Sequence, residues 1–184
     1  MDSKNSLRNK VLALRKNMKR ENAGILSKII CNTLISSESY KKAYSVFCYY
    51  PVRNEVDLTS FINKALQDKK VVSLPRVTDK NGIMKFYQIN SLDELSKGAY
   101  GIPEPNIKDE QKGADLIIVP GVVFSESGDR IGQAGGFYDR YLAENDIYSV
   151  GVCYDYQIYK KIPYESHDIR MNNIVSDKRT IFIK

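Results

Sequence analysis

The run Arg130-Ile131-Gly132-Gln133-Ala134-Gly135-Gly136-Phe137-Tyr138-Asp139-Arg140-Tyr141-Leu142 sets a cation, three glycines, several aromatic rings and a carboxylate close together in the chain. These residue types suit phosphate chemistry. Glycine carries no Cβ, so backbone N–H groups can face an anion, and a helix starting near Phe137 would add unpaired N–H groups and a positive dipole end. Arg130 offers a cation on one side of such a cradle. Asp139 offers a carboxylate able to hold magnesium beside the phosphate. The competing reading of the same segment is a tight loop entering a helix and nothing more.

Further chemically capable residues follow the expected strands. Tyr50, Arg53 and Glu55 come after the first strand, Arg76 after the second, and Pro120-Gly121 after the central one. Asp155, Gln157 and Asp177 follow the next two. Ligands of open α/β sheets bind beyond the carboxyl ends of strands, so this distribution predicts one shared cleft. Lys4 and Arg8 are one helical turn apart, where like charges repel unless an anion lies between them. They read either as a solvated basic face or as an anion site. Glu55 reads either as a ligand-binding acid or as a complement to a helix dipole, and Asp139 and Asp177 either as magnesium ligands or as surface acids. His167 has no serine or cysteine nucleophile in a recognisable active-site motif to serve, so it is expected to be structural.

Those residues need a scaffold, and the sequence supplies its pieces. Leu7, Val11, Leu14 and Met18 recur at helical spacing, with Lys4, Arg8, Arg15 and Lys19 off that face. Gly24 and the polar Arg20-Glu21-Asn22 stretch are expected to separate this helix from a second one carrying Ile25 to Leu34, both covering one side of a sheet. Tyr44–Tyr50 reads as a buried strand stopped by Pro51. Asp57 caps a helix bearing Leu58, Phe61, Ile62, Ala65 and Leu66. Val71–Leu74 is a strand stopped by Pro75, parallel to the first with a right-handed crossover.

Asn81-Gly82 reads as a turn and 83–89 as a strand, followed by a short helix capped by Ser91. Gly101–Pro105 is expected to be irregular because its two prolines lack donors. Asp115–Pro120 is the central strand, with further strands at Tyr148–Cys153, Asn173–Ser176 and Thr180–Ile183. The predicted fold is one α/β domain over residues 1–184, Rossmann-like and three-layered, with a mostly parallel central sheet flanked by helices.

Composition narrows the function. A chain of 184 residues that is 42% hydrophobic suits one soluble domain. The start lacks the apolar core of a signal peptide and no run approaches the length of a membrane span, so the expected location is the cytoplasm. Cys31, Cys48 and Cys153 lie far apart and form no metal-binding pair, so they are expected to be buried apolar residues. The net charge of +6 favours anionic partners. Its basic residues are dispersed as pairs, which suits a small polyanion such as ATP better than nucleic acid.

Taken as a set, these residues resemble the 5-formyltetrahydrofolate cyclo-ligase family. The resemblance spans nearly the whole chain: Lys4 with Leu7-Arg8, Tyr50-Pro51 with Glu55-Val56-Asp57, Leu74-Pro75-Arg76, Tyr100–Pro105, Asp115–Gly121, Arg130–Leu142, His167-Asp168 and Val175-Ser176-Asp177. It implies ATP- and magnesium-dependent conversion of 5-formyltetrahydrofolate, with or without a polyglutamate tail, to 5,10-methenyltetrahydrofolate, by a monomer with no nucleic-acid or membrane partner. By that resemblance Lys4, Arg8 and the loop Arg130, Ile131, Gly132, Gln133, Ala134, Gly135, Gly136, Phe137 and Tyr138 bind ATP. Tyr50, Glu55, Gly135, Gly136 and Tyr138 meet the folate, Arg130 and Tyr138 serve the reacting centre, and Asp139 and Asp177 hold magnesium. The family pattern has glycine where this chain has Ala134, which is expected to weaken ATP binding if the backbone there needs positive φ. The rival reading is a sugar-phosphate isomerase or CoA-transferase-like enzyme on a related scaffold.

Overall fold

The computed structural model describes residues 3–77, 83–98, 101–133 and 135–183. Helices α1 (Lys4–Asn17), α2 (Arg20–Ser36) and α3 (Glu38–Lys42) precede strand β1 (Ser45–Phe47), and α4 (Thr59–Gln67) leads to β2 (Val71–Val77) and β3 (Met84–Ile89). The small strands β4 (Ser96–Lys97), β5 (Pro103–Glu104) and β6 (Glu110–Gln111) come next, then β7 (Leu116–Pro120), β8 (Val123–Ser125) and β9 (Arg130–Ile131). Helix α5 (Phe137–Glu144) and strands β10 (Tyr148–Val152), β11 (Ile158–Tyr159), β12 (Asn173–Val175) and β13 (Thr180–Phe182) complete the chain.

The main sheet has the order β13-β12-β10-β7-β1-β2-β3-β6. Its centre, from β12 to β2, is parallel, and antiparallel strands close both sides. Alternation of side chains divides the core. Val46, Cys48, Leu116 and Ile118 face the cluster shared with Ile30, Leu34, Phe61 and Ile62 of α2 and α4, while Phe47, Ile117 and Val119 face Leu142 of α5. The three-layer α/β expectation therefore holds. No helix among the described residues is long and apolar enough to cross a membrane. All three cysteines are buried and free.

Several local expectations change. Helix α1 does not lie on the main sheet: Leu7 and Val11 pack on Val122, Val123, Ile131 and Ile162, over the smaller β11-β8-β9 sheet. The break between α1 and α2 falls at Met18 and Lys19, and Gly24 sits inside α2. The cause is tertiary: Asn54 Nδ2 donates to the carbonyls of both Arg15 and Met18, supplying the end of α1 with partners from another segment.

Prolines end neither β2 nor β5. Strand β2 continues through Pro75, which pairs with Phe86 of β3. Val71 N and Ser73 O bond toward β1, so by alternation the missing donor of Pro75 points to the side where the β1 ladder has already ended. Pro103 likewise pairs with Lys97 while the bond runs from Gly98 N to Ile102 O, so no ladder donor is lost. The Asn81-Gly82 turn lies outside the described residues.

Within the lower core, Phe47 and Phe86 stack with centroids 4.2 Å apart, and Phe124 lies fully buried beside the middle of β10. A Cβ added at Gly151 would sit 2.4 Å from the Phe124 ring. Gly151→Ala must displace that ring from a close-packed interior, which costs about 1–3 kcal/mol. The expected result is a lower urea midpoint with an unchanged slope. An unchanged midpoint would show that the ring is not confined there.

Candidate active site

A cleft of about 1310 Å³ lies at the carboxyl ends of the central strands. Parallel β1 has β7 on one side and β2 on the other, so segments leaving β1 and β7 diverge and open the sheet's edge. Tyr49, Tyr50 and Glu55 come to the wall from β1, and Pro120 and Gly121 from β7. The glycine-rich loop, the start of α5, the start of α1 and the segment around Asp168 close the other sides.

The loop has the geometry of an anion cradle. Gly135 and Gly136 both have positive φ, 92° and 60°, and Gly136 is the N-cap of α5. A Cβ at Gly135 would lie 2.6 Å from the Phe137 ring, so both backbone conformation and space exclude a side chain. Ala134 lies outside the described residues. Arg130 projects from β9 into the same region, 6% exposed. Its Nη2 pairs with Asp139 Oδ2 at 2.8 Å, its Nη1 donates to Pro120 O at 3.3 Å, and its guanidinium sits 5.6 Å from the Tyr138 ring centroid. Arg130 Nε is buried and has no hydrogen-bond partner, an orphan donor that an anion would satisfy.

Helix α1 joins the cradle through two cations. Arg8 Nε donates to Gly132 O at 2.8 Å and its Nη1 to Asn5 Oδ1. Lys4 Nζ lies 2.6 Å from Asp168 Oδ2 and 3.3 Å from Glu165 Oε2. Burial pushes the Asp168 carboxyl up, but the Lys4 ammonium and the Glu165 N–H outweigh it and hold the group below the usual range.

The opposite wall is aromatic and carries an acid whose side chain is largely buried. Glu55 ends a turn in which Arg53 and Asn54 have φ of 51° and 57°, each a disfavoured left-handed conformation for a residue with a side chain. Glu55 N donates to Val52 O and Val52 N to Glu55 Oε2, closing the turn. Oε1 accepts from Gln133 Nε2 at 2.7 Å. Tyr154 Oη donates to the Glu55 carbonyl and Tyr49 Oη to that of Val56, fixing the turn from below. Burial pushes the Glu55 carboxyl up, opposed by the charges of Arg15 and Arg53 and by the hydrogen bonds from Val52 and Gln133. Burial also raises the Tyr138 hydroxyl far above its usual range, with Glu55 adding to the effect, so Tyr138 stays protonated.

The structure thus gathers Lys4, Arg8, Tyr50, Glu55, Arg130, Ile131, Gly132, Gln133, Gly135, Gly136, Phe137, Tyr138 and Asp139 on one cleft. Asp177 is absent from that wall: its Oδ1 accepts from Asp155 N. Asp155 in turn accepts from Ser176 and Arg179, and Gln157 is buried with its amide on Gly121 O and Val122 O. Arg76 binds Pro105 O and faces Glu104 at 3.6 Å. These four residues organise the strand ends behind the cleft. A two-carboxylate magnesium site built from Asp139 and Asp177 therefore does not match the cleft, whereas Asp139 alone is on it. His167 is exposed at the rim, with Nε2 3.2 Å from Glu165 Oε2 and 3.8 Å from Asp168 Oδ1.

Sequence reasoning missed Arg15, Glu104 and Glu165. Arg15 continues the Leu7, Val11 series by four and is buried with them, a signal overridden by its charge.

Comparison with known proteins follows the same lines. The profile of the 5-formyltetrahydrofolate cyclo-ligase family matches residues 1–177. A probable 5-formyltetrahydrofolate cyclo-ligase of Schizosaccharomyces pombe is 28% identical over 172 residues, covering 83% of this chain and 84% of that one. The 5-formyltetrahydrofolate cyclo-ligase of Mycolicibacterium smegmatis is 32% identical, with 74% and 75% covered. The solved structure of Aquifex aeolicus 5,10-methenyltetrahydrofolate synthetase superposes with a TM-score of 0.89 at 34% identity, covering 98% of this chain and 93% of that chain.

The Lys4–Asp168 pair gives a signed pH expectation. Because the Asp168 carboxyl is held low, its stabilisation of the start of α1 is fully present above the unfolded value near 3.9 and is lost as pH falls through the lower folded value. Amide shifts of the first turn of α1 should move below about pH 4 in the native protein and stay flat in Asp168→Asn. A titration identical in both proteins would remove Asp168 from this role.

Proposed function

We propose, for a chain that belongs to the 5-formyltetrahydrofolate cyclo-ligase family, that this cleft seats ATP against 5-formyltetrahydrofolate and joins them in ring closure. The formyl oxygen takes the γ-phosphoryl group as the bond to ADP breaks. The N10 amine then attacks the activated formyl carbon, phosphate departs with that oxygen, and N10 loses its proton. The product is 5,10-methenyltetrahydrofolate with ADP and phosphate. An amide-like oxygen is a poor leaving group, so the protein's task is alignment and charge neutralisation, and it needs no covalent nucleophile.

The observation that carries this reading is one cleft with a cationic glycine-rich wall and a buried acid facing it. On the phosphate side Lys4, Arg8 and Arg130 supply positive charge, and the N–H groups of Gly135, Gly136, Phe137 and Tyr138 supply donors at the start of α5. Arg130 is suited to the transferring phosphoryl group, since its Nε has no partner within the protein. On the folate side Glu55 accepts from the amino and ring N–H groups of the pterin, while Tyr50 and Tyr138 pack on the rings.

Magnesium is bound beside phosphates through one or two carboxylates together with the phosphates themselves. Asp139 is the carboxylate suited to it, because phosphate taking the donors of Arg130 releases the oxygen that Arg130 now holds. The ion supplies charge neutralisation there. In this reading Asp177 takes no part. In this reading the enzyme works as a cytoplasmic monomer, and a polyglutamate tail would extend from the open side of the cleft.

Absorbance of the methenyl product, followed with 5-formyltetrahydrofolate in the presence and absence of ATP and magnesium, tests the reading. Product should form only with ATP. Glu55→Gln should raise KM for the folate about tenfold or more with KM for ATP unchanged, and Asp139→Asn should raise the magnesium concentration needed for half-maximal rate. No product from folded protein under complete conditions would overturn the assignment, and unaltered folate KM in Glu55→Gln would remove Glu55 from it.

A further inference from the structure

Behind Glu55, on the side away from the cleft, lies Arg15 of α1. Its side chain is 2% exposed and that of Glu55 9%, with Nη2 and Oε1 3.9 Å apart. That separation allows charge attraction but exceeds a hydrogen bond. Arg15 Nη2 has no hydrogen-bond partner. A guanidinium buried with an unfilled donor is expensive to keep, and a purely packing position would be cheaper to fill with an apolar side chain. Arg15 is not on the cleft wall, so it can touch neither substrate directly.

We propose that Arg15 is the positioning residue of the folate half: it keeps the Glu55 carboxylate ionised and aimed at the pterin while leaving its outer lone pairs free. The inference rests on Glu55 as the folate acceptor. Glu55 already accepts from Gln133 on Oε1 and from Val52 N on Oε2, so a direct bidentate pair would take the lone pairs left for the pterin, whereas a guanidinium held 3.9 Å away supplies the charge and spares them. The other groups facing this carboxylate cannot replace it. Arg53, on the turn itself, is exposed, and Gln133 and Val52 N contribute neutral hydrogen bonds. Tyr49 after β1 and Tyr138 on α5 are kept neutral by burial. Arg15 is therefore the one buried cation among the groups named against Glu55, and burial otherwise favours the protonated acid.

The sign of the consequence follows. Folate is bound by ionised Glu55, so affinity falls as pH drops through the Glu55 titration. Without Arg15 that titration moves up, and the acid limb of binding moves toward neutrality. The experiment measures Kd for 5-formyltetrahydrofolate by calorimetry without ATP, from pH 5 to 8, in the native chain, Arg15→Met, Arg15→Lys and Glu55→Gln. A non-hydrolysable ATP analogue reports separately whether the cleft is formed.

Arg15→Met should bind folate about tenfold more weakly at pH 7, with the acid limb raised by about one pH unit and affinity for the ATP analogue unchanged. Arg15→Lys should restore the limb. A native limb in Arg15→Met would overturn the inference while leaving Glu55 as the acceptor. Native folate affinity in Glu55→Gln would instead remove Glu55 as the folate acceptor, and with it the premise of the inference. Should Arg15→Met not fold, the double variant Arg15→Met with Glu55→Gln removes both charges and is expected to fold. Its failure would mean that Arg15 is needed for packing, and the inference falls.

Discussion

Everything in the site depends on β1 and β7 running side by side in the same direction and sending their chains apart at their carboxyl ends. A sheet whose neighbouring strands turn back on each other has no gap at its crest. Here the gap is obligatory, because α4 carries the chain from β1 to β2 on one side while β7 is followed by the β8–β9 hairpin on the other. The hairpin matters as much as the gap. It lifts Arg130 and the glycine-rich loop over the sheet's edge and gives α1 an apolar surface to rest on.

The two walls differ in the way their polar groups are held. On the glycine-rich wall, cations are tied to carboxylates and carbonyls: Arg130 to Asp139 and Pro120, Arg8 to Gly132, Lys4 to Asp168. Such groups are pre-aligned for an incoming polyanion, so its binding replaces partners instead of ordering free side chains. On the other wall one acid is surrounded by tyrosines and backbone, in a setting that disfavours charge. The Gln133 amide spans the two, reaching from the loop to Glu55. The halves are thus joined by side-chain contact and not merely by proximity.

Much of this was legible in the residues themselves. The glycine-rich run announced its cradle because left-handed backbone at a helix start has few other sequences that can adopt it, and the strands of the parallel centre stood out as unbroken apolar runs. What escaped notice has a common physical cause. Arg15 was excluded from the buried face because a charge is assumed to seek water, and only its distant partner Glu55 explains its burial. Pro75 sits inside β2 because its neighbouring strand has already stopped, a fact the sequence does not show. Asp177 lies beyond a strand end like Asp155, yet it is turned to a backbone N–H and away from the cleft. The strands β8, β9 and β11 are two or three residues long, too short for any alternation to register.

The seat of α1 has a consequence for how the protein is made. Its buried partners, Val122, Val123, Ile131 and Ile162, all lie beyond residue 120, so α1 leaves the ribosome well before any of them. Until residue 162 has emerged, Leu7 and Val11 have no permanent surface to cover them, and Arg8 has no Gly132 carbonyl to meet. The glycine-rich wall of the cleft is therefore assembled late in synthesis. The nascent protein passes through an interval in which its sheet can form while an amphipathic helix remains undocked, the kind of surface that chaperones attend to.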